Sequence, residues 1–422
     1  MPGQKGKEME TYKIAGIDVH KKMLAVVIGD AAAPGELRFE NRSFGAEAED
    51  LEKLRDWVRE RQVSVVVMES TAQYWKGVWE VLEEAGFHLE LAQAQSNKAP
   101  QGRKRDFADA RRLVRRFLAD ELDLSFVPDP EQRLWRTMTR AKEQLVRERA
   151  RLKGQLDSFL EECRIRLSSH VTDLLGVGSR RMMEAVASGM TDPVAIAERA
   201  TDGLRATPEQ LAGALRGAVA MNPVQRKMLA MLLERLDLIE RQIEELDRNT
   251  AEALRVHQDA VARLAEMPGI GVDSAQRMIA EVGPQARAFD TAGKLAGWVG
   301  CCPGREESAG VSRNDRSPKG NRWMRTLLNQ AANAAVKNKG SVFEIRYHRL
   351  KGKIGHGKAI WAVAHSLCRV LWKILHDGVR YEERGQILNP RAARYRRNRL
   401  VRNLRRLGYQ VTLTPLLPEA IA

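Results

Sequence analysis

Four acidic residues near the beginning of the chain stand where folding would bring them together. Asp18 ends an apolar segment in Gly-Ile-Asp-Val-His, and Glu69 ends the apolar run Val-Val-Val-Met. Asp106 and Asp109 are three residues apart, which places both on one side of a helix. Carboxylates held close together repel each other and need a cation. The set therefore predicts a site for a hard, oxygen-preferring ion, Mg²⁺ or alternatively Mn²⁺.

Each acid also has an ordinary structural explanation when it is taken alone. Glu69, followed by Ser70, fits a charge at a helix N-terminus, and Asp106 fits an N-cap. The four acids together favour the metal site. His20, two residues after Asp18, is either part of that site or a turn residue.

The elements that must position these acids follow from hydrophobic patterning. Three successive strands followed by a β-α-β succession predict a mixed sheet flanked by helices. The predicted strands are 12–19, 22–29, 37–44, 63–68 and 87–92, and the predicted helices are 46–62, 71–85 and 106–119. The ends of such strands are where ligand sites gather. The order of the four acids on this succession is similar to that of RNase H-like nucleases, in particular the RuvC-like junction resolvases.

The middle of the chain, from about residue 128 to 256, shows no strand pattern and predicts helices. One segment carries apolar residues at alternating spacings of three and four, which is typical of a coiled-coil seam. The seam residues are Leu229, Leu232, Leu236, Ile239, Ile243 and Leu246. The seam can pair within the chain, with a helix around residues 145–160, or with a second chain, and the sequence leaves both open.

Beyond residue 264 the sequence combines glycine turns with further helices. Met267-Pro-Gly-Ile-Gly271 before a helix resembles a helix-hairpin-helix, in which the backbone of Gly269 and Gly271 would meet a phosphate. A packing turn is an equally good interpretation. A Gly, Ser and Arg-rich loop is predicted at 303–320, followed by helices at 321–337 and 360–376. Trp298, Trp323, Trp361 and Trp372 favour core packing over base stacking.

The positive charge of the chain lies in its C-terminal quarter. The net charge is +15, but residues 311–380 hold 15 Lys and Arg against 3 Asp and Glu, and residues 391–407 hold eight Arg and no acid. A polyanion is the natural partner of such a segment, and nucleic acid is the commonest one.

Composition excludes several classes of protein. No apolar run approaches the ~20 residues of a membrane helix, and residues 1–13 are polar, unlike a signal peptide. The four cysteines, Cys163, Cys301, Cys302 and Cys368, offer no Cys-x-x-Cys pair and no disulfide framework. We therefore expect no membrane partner and a cytoplasmic, nucleoid-associated location.

The motifs that carry the acids resemble a known family. GIDVHK, VVMEST and RKRDFADARRL are similar to the N-terminal motifs of the DEDD-type transposases of the IS110 insertion-sequence family, bridge-RNA-guided recombinases related to the Piv-type DNA invertases. LAEMPGIGVDSAQRMIAEVG, FDTAGKLAGWVGCCPGREESAG and SPKGNRWMRTLL are similar to the C-terminal motifs. The chain departs from the family at Ser96-Asn-Lys-Ala-Pro100 and in the segment 165–225.

The resemblance implies a two-part active site. Asp18, Glu69, Asp106 and Asp109 would bind the metal, and Ser308, in Glu-Ser-Ala-Gly, would be the nucleophile that joins the protein to DNA; Ser312 and Ser317 are its rivals. The implied partners are donor and target DNA, a structured guide (bridge) RNA, and further copies of the chain, as dimers assembling to tetramers. The cations that recur about every third residue would contact phosphates: Arg313, Arg316, Lys319, Arg322 and Arg325.

The expected fold class is α/β plus all-α. An RNase H-like (RuvC-like) mixed-sheet domain is expected at 1–125, a helical coiled-coil region at 126–257, and a mainly α-helical transposase domain with the serine and a basic tail at 258–422. A metal-dependent junction-resolving endonuclease, or a DNA invertase without guide RNA, would share the four acids. A non-catalytic RNA or DNA chaperone, carried by the stretch Arg391–Arg406, is the third alternative, and it predicts that Asp18→Ala retains full biological activity.

Overall fold

The chain divides into two compact units, Met1–Pro128 and Asp129–Ala422. Their structure is a computed structural model. It describes residues 12–30, 37–70, 72–94, 97, 106–200, 204–302, 306–308, 311–314, 317–383 and 390–413. The expected domain limits at residues 125 and 257 stay predictions.

The first unit is a five-stranded mixed sheet with helices. Its elements are β1 (Lys13–Val19), β2 (Met23–Asp30), β3 (Arg38–Gly45), α1 (Ala48–Glu60), β4 (Val65–Glu69), α2 (Trp75–Glu84), β5 (His88–Ala92) and α3 (Asp106–Leu118). The strand order is β3-β2-β1-β4-β5. β2 is antiparallel to β1 and β3, whereas β1, β4 and β5 are parallel. The predicted mixed α/β sheet is thus confirmed, in the arrangement expected of an RNase H-like domain.

The two central strands are apolar because both of their faces are covered. Val66 and Met68 of β4 pack in the core with α1 and α2, whereas Val65 and Val67 pack with Leu113 of α3. This explains why the sequence of β4 is a continuous apolar run rather than an alternating one.

Helix α3 lies against β1 at very short range. A Cβ at Gly16 would stand 2.5 Å from the carbonyl oxygen of Ala110 and 2.8 Å from a methyl carbon of Val114. Only glycine allows this approach, which brings the first turn of α3 to the end of β1.

The second unit is mainly helical. Its elements are α4 (Pro130–Glu162), α5 (Val177–Ala187), α6 (Pro193–Ala197), α7 (Pro208–Ala214), α8 (Pro223–Ala253), α9 (Gln258–Ala265), α10 (Val272–Val282), α11 (Ala292–Val299), β6 (Glu306–Ser308), β7 (Val311–Asn314), α12 (Arg322–Ala335), α13 (Val342–Asp377) and α14 (Pro390–Arg406). Asn222 and Gln225 form a capping box at the start of α8, and Asp129 caps α4.

The predicted apolar seam packs within the chain. Leu229, Leu236 and Ile239 of α8 are buried in one core with Leu152 and Leu156 of α4 and with the helices of the segment 165–225. Ion pairs join Arg149 to Glu240 and Lys142 to Asp247, so the two helices run antiparallel. Leu229, Leu236 and Ile239 therefore follow the alternative in which the seam pairs within the chain.

The remaining predictions for the second unit are confirmed in part. The helices predicted at 321–337 and 360–376 are present, but the second belongs to the longer α13, which breaks at Gly355. The predicted loop 303–320 contains the short hairpin β6–β7, and the arginine-rich stretch forms the helix α14. Among the described residues no helix is both long and apolar enough to cross a membrane.

Gly16→Ala tests the approach of α3 to β1. The added methyl group overpacks the contact with Ala110, so we expect the free energy of unfolding to fall by about 1–3 kcal/mol. Gly77→Ala is the control, because its site in α2 has no neighbour closer than 4.0 Å and alanine favours helix. Thermal unfolding measures both variants; equal stability of the two would contradict the packing argument.

Candidate active site

Asp18 is the centre of an acidic site in the first unit. It lies at the C-terminal end of β1 and is only 8% exposed. His20 Nε2 lies 3.2 Å from Asp18 Oδ2 and 3.4 Å from Asp106 Oδ1. One donor atom from each of the three residues lies within 4.8 Å of the others. His20 therefore bridges two acids, which favours a place in the site over a turn residue.

The other three predicted acids all act on Asp18. Burial raises the pKa of Asp18, His20 opposes that rise, and the charges of Glu69, Asp109 and Asp106 add to it. The fold thus brings the four acids together: Asp18 and Glu69 come from adjacent parallel strands, and the other two come from the first turn of α3.

Asn97 and Arg112 support two of the acids. Asn97, 2% exposed, donates from Nδ2 to Glu69 Oε2 over 2.9 Å. Arg112 binds Asp109 and also donates to the backbone oxygen of Asn97, over 3.1 Å. These bonds join the segment before α3 to β4 and fix the carboxylates relative to each other.

The donor set suits a divalent cation. Carboxylate oxygens are preferred by Mg²⁺ and Mn²⁺, and an imidazole nitrogen is also a common metal ligand. A cation would oppose the rise in the pKa of Asp18 that burial and the neighbouring carboxylates cause. The residues that would hold it are Asp18, Asp106 and His20, with Glu69 and Asp109 beside them.

Ser308, in the second unit, ends the first strand of the hairpin β6–β7. Its backbone pairs with Val311, and the register shifts between Glu306 and Glu307. Arg313 lies on β7, and Arg316 lies outside the described residues. The sequence predicted a loop over 303–320, and the paired strands β6 and β7 stand within it.

Arg325 connects the residues that precede the hairpin β6–β7 to those that follow it. Its guanidinium donates to the backbone oxygens of Gly300 and Pro318 and to Ser317 Oγ, and it lies 4.5 Å from the ring centre of Trp361. Its donors therefore bind this chain rather than solvent.

A buried carboxylate anchors the start of α12. Glu281, 2% exposed, receives two hydrogen bonds from Arg140, over 2.7 and 2.8 Å, and one from Asn321 Nδ2 over 2.8 Å. Asn321 Oδ1 caps α12 at Trp323 and Met324. Burial lowers the pKa of the neighbouring Arg136 to about 10, against the opposing charge of Glu281.

Of the other residues predicted to contact phosphate, Gly269 is packed against a helix, whereas Gly271, Lys319 and Arg322 are accessible. Gly269 lies against α12, where a Cβ would be 2.3 Å from Ala331 O, so this glycine serves close packing. Gly271 caps α10 and has open space around it. Lys319 and Arg322 are exposed, and Arg322 lies over the ring of Trp323.

Comparison with known families decides the class of the protein. Residues 15–165 match the DEDD family of IS110 elements, described as "Transposase". Residues 261–348 match the "Transposase IS116/IS110/IS902 family", and the two matches together span more than half of the chain. The chain belongs to the IS110 transposase family. It is therefore a DNA recombinase, as the motifs predicted.

Individual relatives agree with the family. The chain is 27% identical over 332 residues to a "Probable family 20 transposase" of Pseudomonas aeruginosa, covering 76% of this chain and 87% of the relative. It is 30% identical over 186 residues to the "Insertion element IS900 uncharacterized 42 kDa protein" of Mycobacterium paratuberculosis, covering 43% of this chain and 46% of the relative.

Two solved structures match with low scores. RuvC of Thermus thermophilus is 12% identical, has a TM-score of 0.23 and covers 27% of this chain and 99% of its own. An Aquifex aeolicus member of the Ppx/GppA family is 11% identical, has a TM-score of 0.17 and covers 56% of this chain and 99% of its own.

Sequence reasoning missed the residues that support the site. Asn97 lies in the segment where the chain departs from the family. Its amide side chain, which can donate hydrogen bonds, was the only indication of its role. Arg112 follows Asp109 by three residues, the spacing of a helical ion pair, which predicts the contact. Glu281 gave no signal, because its partners Arg136 and Arg140 are distant in sequence.

Asp18→Asn tests the metal site. Removing a buried charge from beside three other carboxylates should stabilise the metal-free protein. It should also abolish the rise in melting temperature that Mg²⁺ or Mn²⁺ gives the wild type.

The matched control is Asp123→Asn, at an exposed position in the same unit. We expect this variant to keep the wild-type stability and the wild-type response to metal. A response to metal that survives in Asp18→Asn would show that the ion binds elsewhere.

Proposed function

We propose that this transposase performs RNA-guided, site-specific DNA strand exchange through a covalent phosphoserine–DNA intermediate. Ser308 is the nucleophile, and Asp18, Glu69, Asp106 and Asp109 form the metal site. The observation that carries the catalytic part is the clustering of all four acids around the buried Asp18. The family matches at residues 15–165 and 261–348 support the use of both motif sets by one enzyme.

The serine chemistry conserves the energy of the phosphodiester. The Ser308 Oγ–P bond forms as the P–O bond to the leaving deoxyribose breaks; the serine hydroxyl loses its proton, and the leaving sugar oxygen gains one. The reverse reaction with a different strand end rejoins the DNA, so no external energy source is needed. A bound divalent ion supplies charge stabilisation to the phosphate.

Residues of this chain prepare the reaction in two ways. Asn97 and Arg112 hold Glu69 and Asp109 in position, so the carboxylates need little rearrangement on binding. Arg325 and Asn321 hold the chain that follows the hairpin of Ser308. Lys319, Arg322 and, in the proposal, Arg313 and Arg316 contact DNA phosphates.

The proposal assigns sequence specificity to a structured guide RNA. In such systems base pairing reads the DNA sequence, and the protein needs backbone contacts rather than base-reading side chains. The strongly basic C-terminal quarter supplies such contacts. Exchange between two duplexes requires several active sites, so we propose homodimers that pair into tetramers.

A junction-resolving or strand-cleaving nuclease that uses the acids alone is the second candidate. The clustering of the acids favours this nuclease, because all four acids lie in the first unit and a metal-dependent nuclease needs no serine. The two candidates differ in the covalent intermediate.

Ser308→Ala separates these candidates. We expect the variant to form no protein–DNA adduct with a DNA substrate containing the element junction, because no other group replaces its oxygen. Electrophoresis under denaturing conditions with labelled DNA measures the adduct.

The controls are Ser312→Ala and Ser317→Ala. Both should keep the adduct, the second because Ser317 Oγ accepts a bond from Arg325. Wild-type strand cleavage by Ser308→Ala, without any adduct in the wild type, would favour the nuclease.

The guide is tested by adding RNA transcribed from the DNA that flanks the gene. We expect strand exchange only with this RNA, and we expect changes in its target-pairing segment to redirect exchange to a matching DNA. A scrambled RNA of the same length is the control. Equal exchange with no RNA would remove the guide from the proposal while leaving the serine chemistry.

A further inference from the structure

A set of basic side chains in the second unit has no acid paired with it among the described residues. Helix α13 breaks at Gly355, which has φ of 78° and ψ of 170°, and the helix therefore has two arms. Tyr347 on the first arm bonds His356 at the start of the second, over 2.8 Å. Arg346 and Arg349 lie on the first arm, and His365 and Arg369 lie on the second. We call these four residues the arginine cluster.

The members of the arginine cluster are close enough to repel one another. Burial and the charges of Arg349 and Arg369 lower the pKa of Arg346. Burial and the charges of Arg369 and Arg346 lower the pKa of His365. Among the residues that the structure describes, no carboxylate pairs with these guanidinium groups.

Two buried donors in this region also have no acceptor. Arg346 Nε and Trp361 Nε1 are shielded from solvent, and neither finds a hydrogen-bond partner in the described part of the chain. An unsatisfied buried donor destabilises the folded protein, so such groups call for an explanation. An anion bound by the guanidinium groups of the arginine cluster would offset the repulsion among them.

The arginine cluster lies beside the segment that carries Ser308. Arg369 acts electrostatically on Cys302, which precedes residues 303–316. Trp361, one helical turn before His365, packs on Arg325, the residue that binds Gly300 and Ser317. The two ends of the serine segment therefore adjoin this set of cations.

We propose that the arginine cluster is a binding site for backbone phosphates of DNA, next to the strand on which Ser308 acts. Guanidinium groups match the oxygens of a phosphodiester in pairs, and successive phosphates of one strand would satisfy several of them. None of the residues of this site is among the phosphate contacts predicted from the sequence. Only the position of this site next to the reacting strand rests on the proposed function of Ser308.

Arg346→Met is the decisive variant. It keeps the apolar stem, removes the unsatisfied Nε and relieves the repulsion. We therefore expect a melting temperature equal to or above that of the parent chain without DNA. We also expect the Kd for a labelled DNA duplex to rise about tenfold, because one charged hydrogen bond to a phosphate is removed. The slope of log Kd against log salt concentration should fall by about 0.9 for each phosphate that the variant no longer neutralises.

Two further variants complete the test. Arg369→Gln changes an exposed side chain, so it reports DNA affinity without disturbing the core, and its Kd should also rise about tenfold. Arg241→Gln removes the same charge from an exposed position of α8 and should leave the Kd unchanged. All variants are made with Ser308→Ala, which prevents covalent capture from contributing to the measured Kd.

The outcomes are distinct. A lower melting temperature for Arg346→Met with unchanged Kd for it and for Arg369→Gln would overturn the proposal and leave a structural role. An equal weakening of DNA binding in Arg241→Gln would overturn it as a general charge effect. A weakening confined to an RNA hairpin, with DNA binding intact, would also overturn it. If the wild type forms no adduct but these variants bind DNA more weakly, the serine mechanism is rejected and the phosphate-binding site is retained.

Discussion

Repulsion between like charges that the fold holds close together is the constraint on which this structure depends. In the first unit Asp18 is buried near three other carboxylates, and burial together with their repulsion raises its pKa. In the second unit burial, together with the charges of Arg349 and Arg369, lowers the pKa of Arg346. Such groups reduce the stability of the free protein, and a bound ligand of opposite charge recovers it. Stability and function therefore oppose each other at both places.

Charges that are compensated within the chain have the opposite effect. Glu281 is as buried as a core residue, but Arg140 and Asn321 satisfy its oxygens. The result is a rigid junction of α4, α10 and the start of α12. Arg325, in the first turn of α12, extends this junction to Gly300 and Pro318. The serine proposed as the nucleophile lies on a short hairpin and would need such support, because the hairpin alone has too few contacts to fix its position.

The sequence predicted those features that depend on local pattern. Apolar runs and turn residues located β1 to β5, and the acids at Asp18, Glu69, Asp106 and Asp109 followed from the ends of those elements. The seam of α8 was visible, but its partner was not, because periodicity specifies an apolar face and not what covers it. The hairpin β6–β7 was missed since Gly, Ser and Arg are typical of loops. Glu281 and Arg346 depend on contacts between distant segments, for which a single sequence carries no signal.

The positive charge of the C-terminal quarter is best understood by separating these two kinds of arginine. Arg325 belongs to the same regular series of cations as Arg322, yet its donors are used by backbone oxygens and a serine. Arg346 stands outside that series, and its Nε lacks a partner among the described residues. Regular spacing along the chain is therefore a poor guide to phosphate binding. Only cations that face phosphate release counterions, so the salt dependence of DNA binding reports fewer contacts than the charge of the sequence suggests.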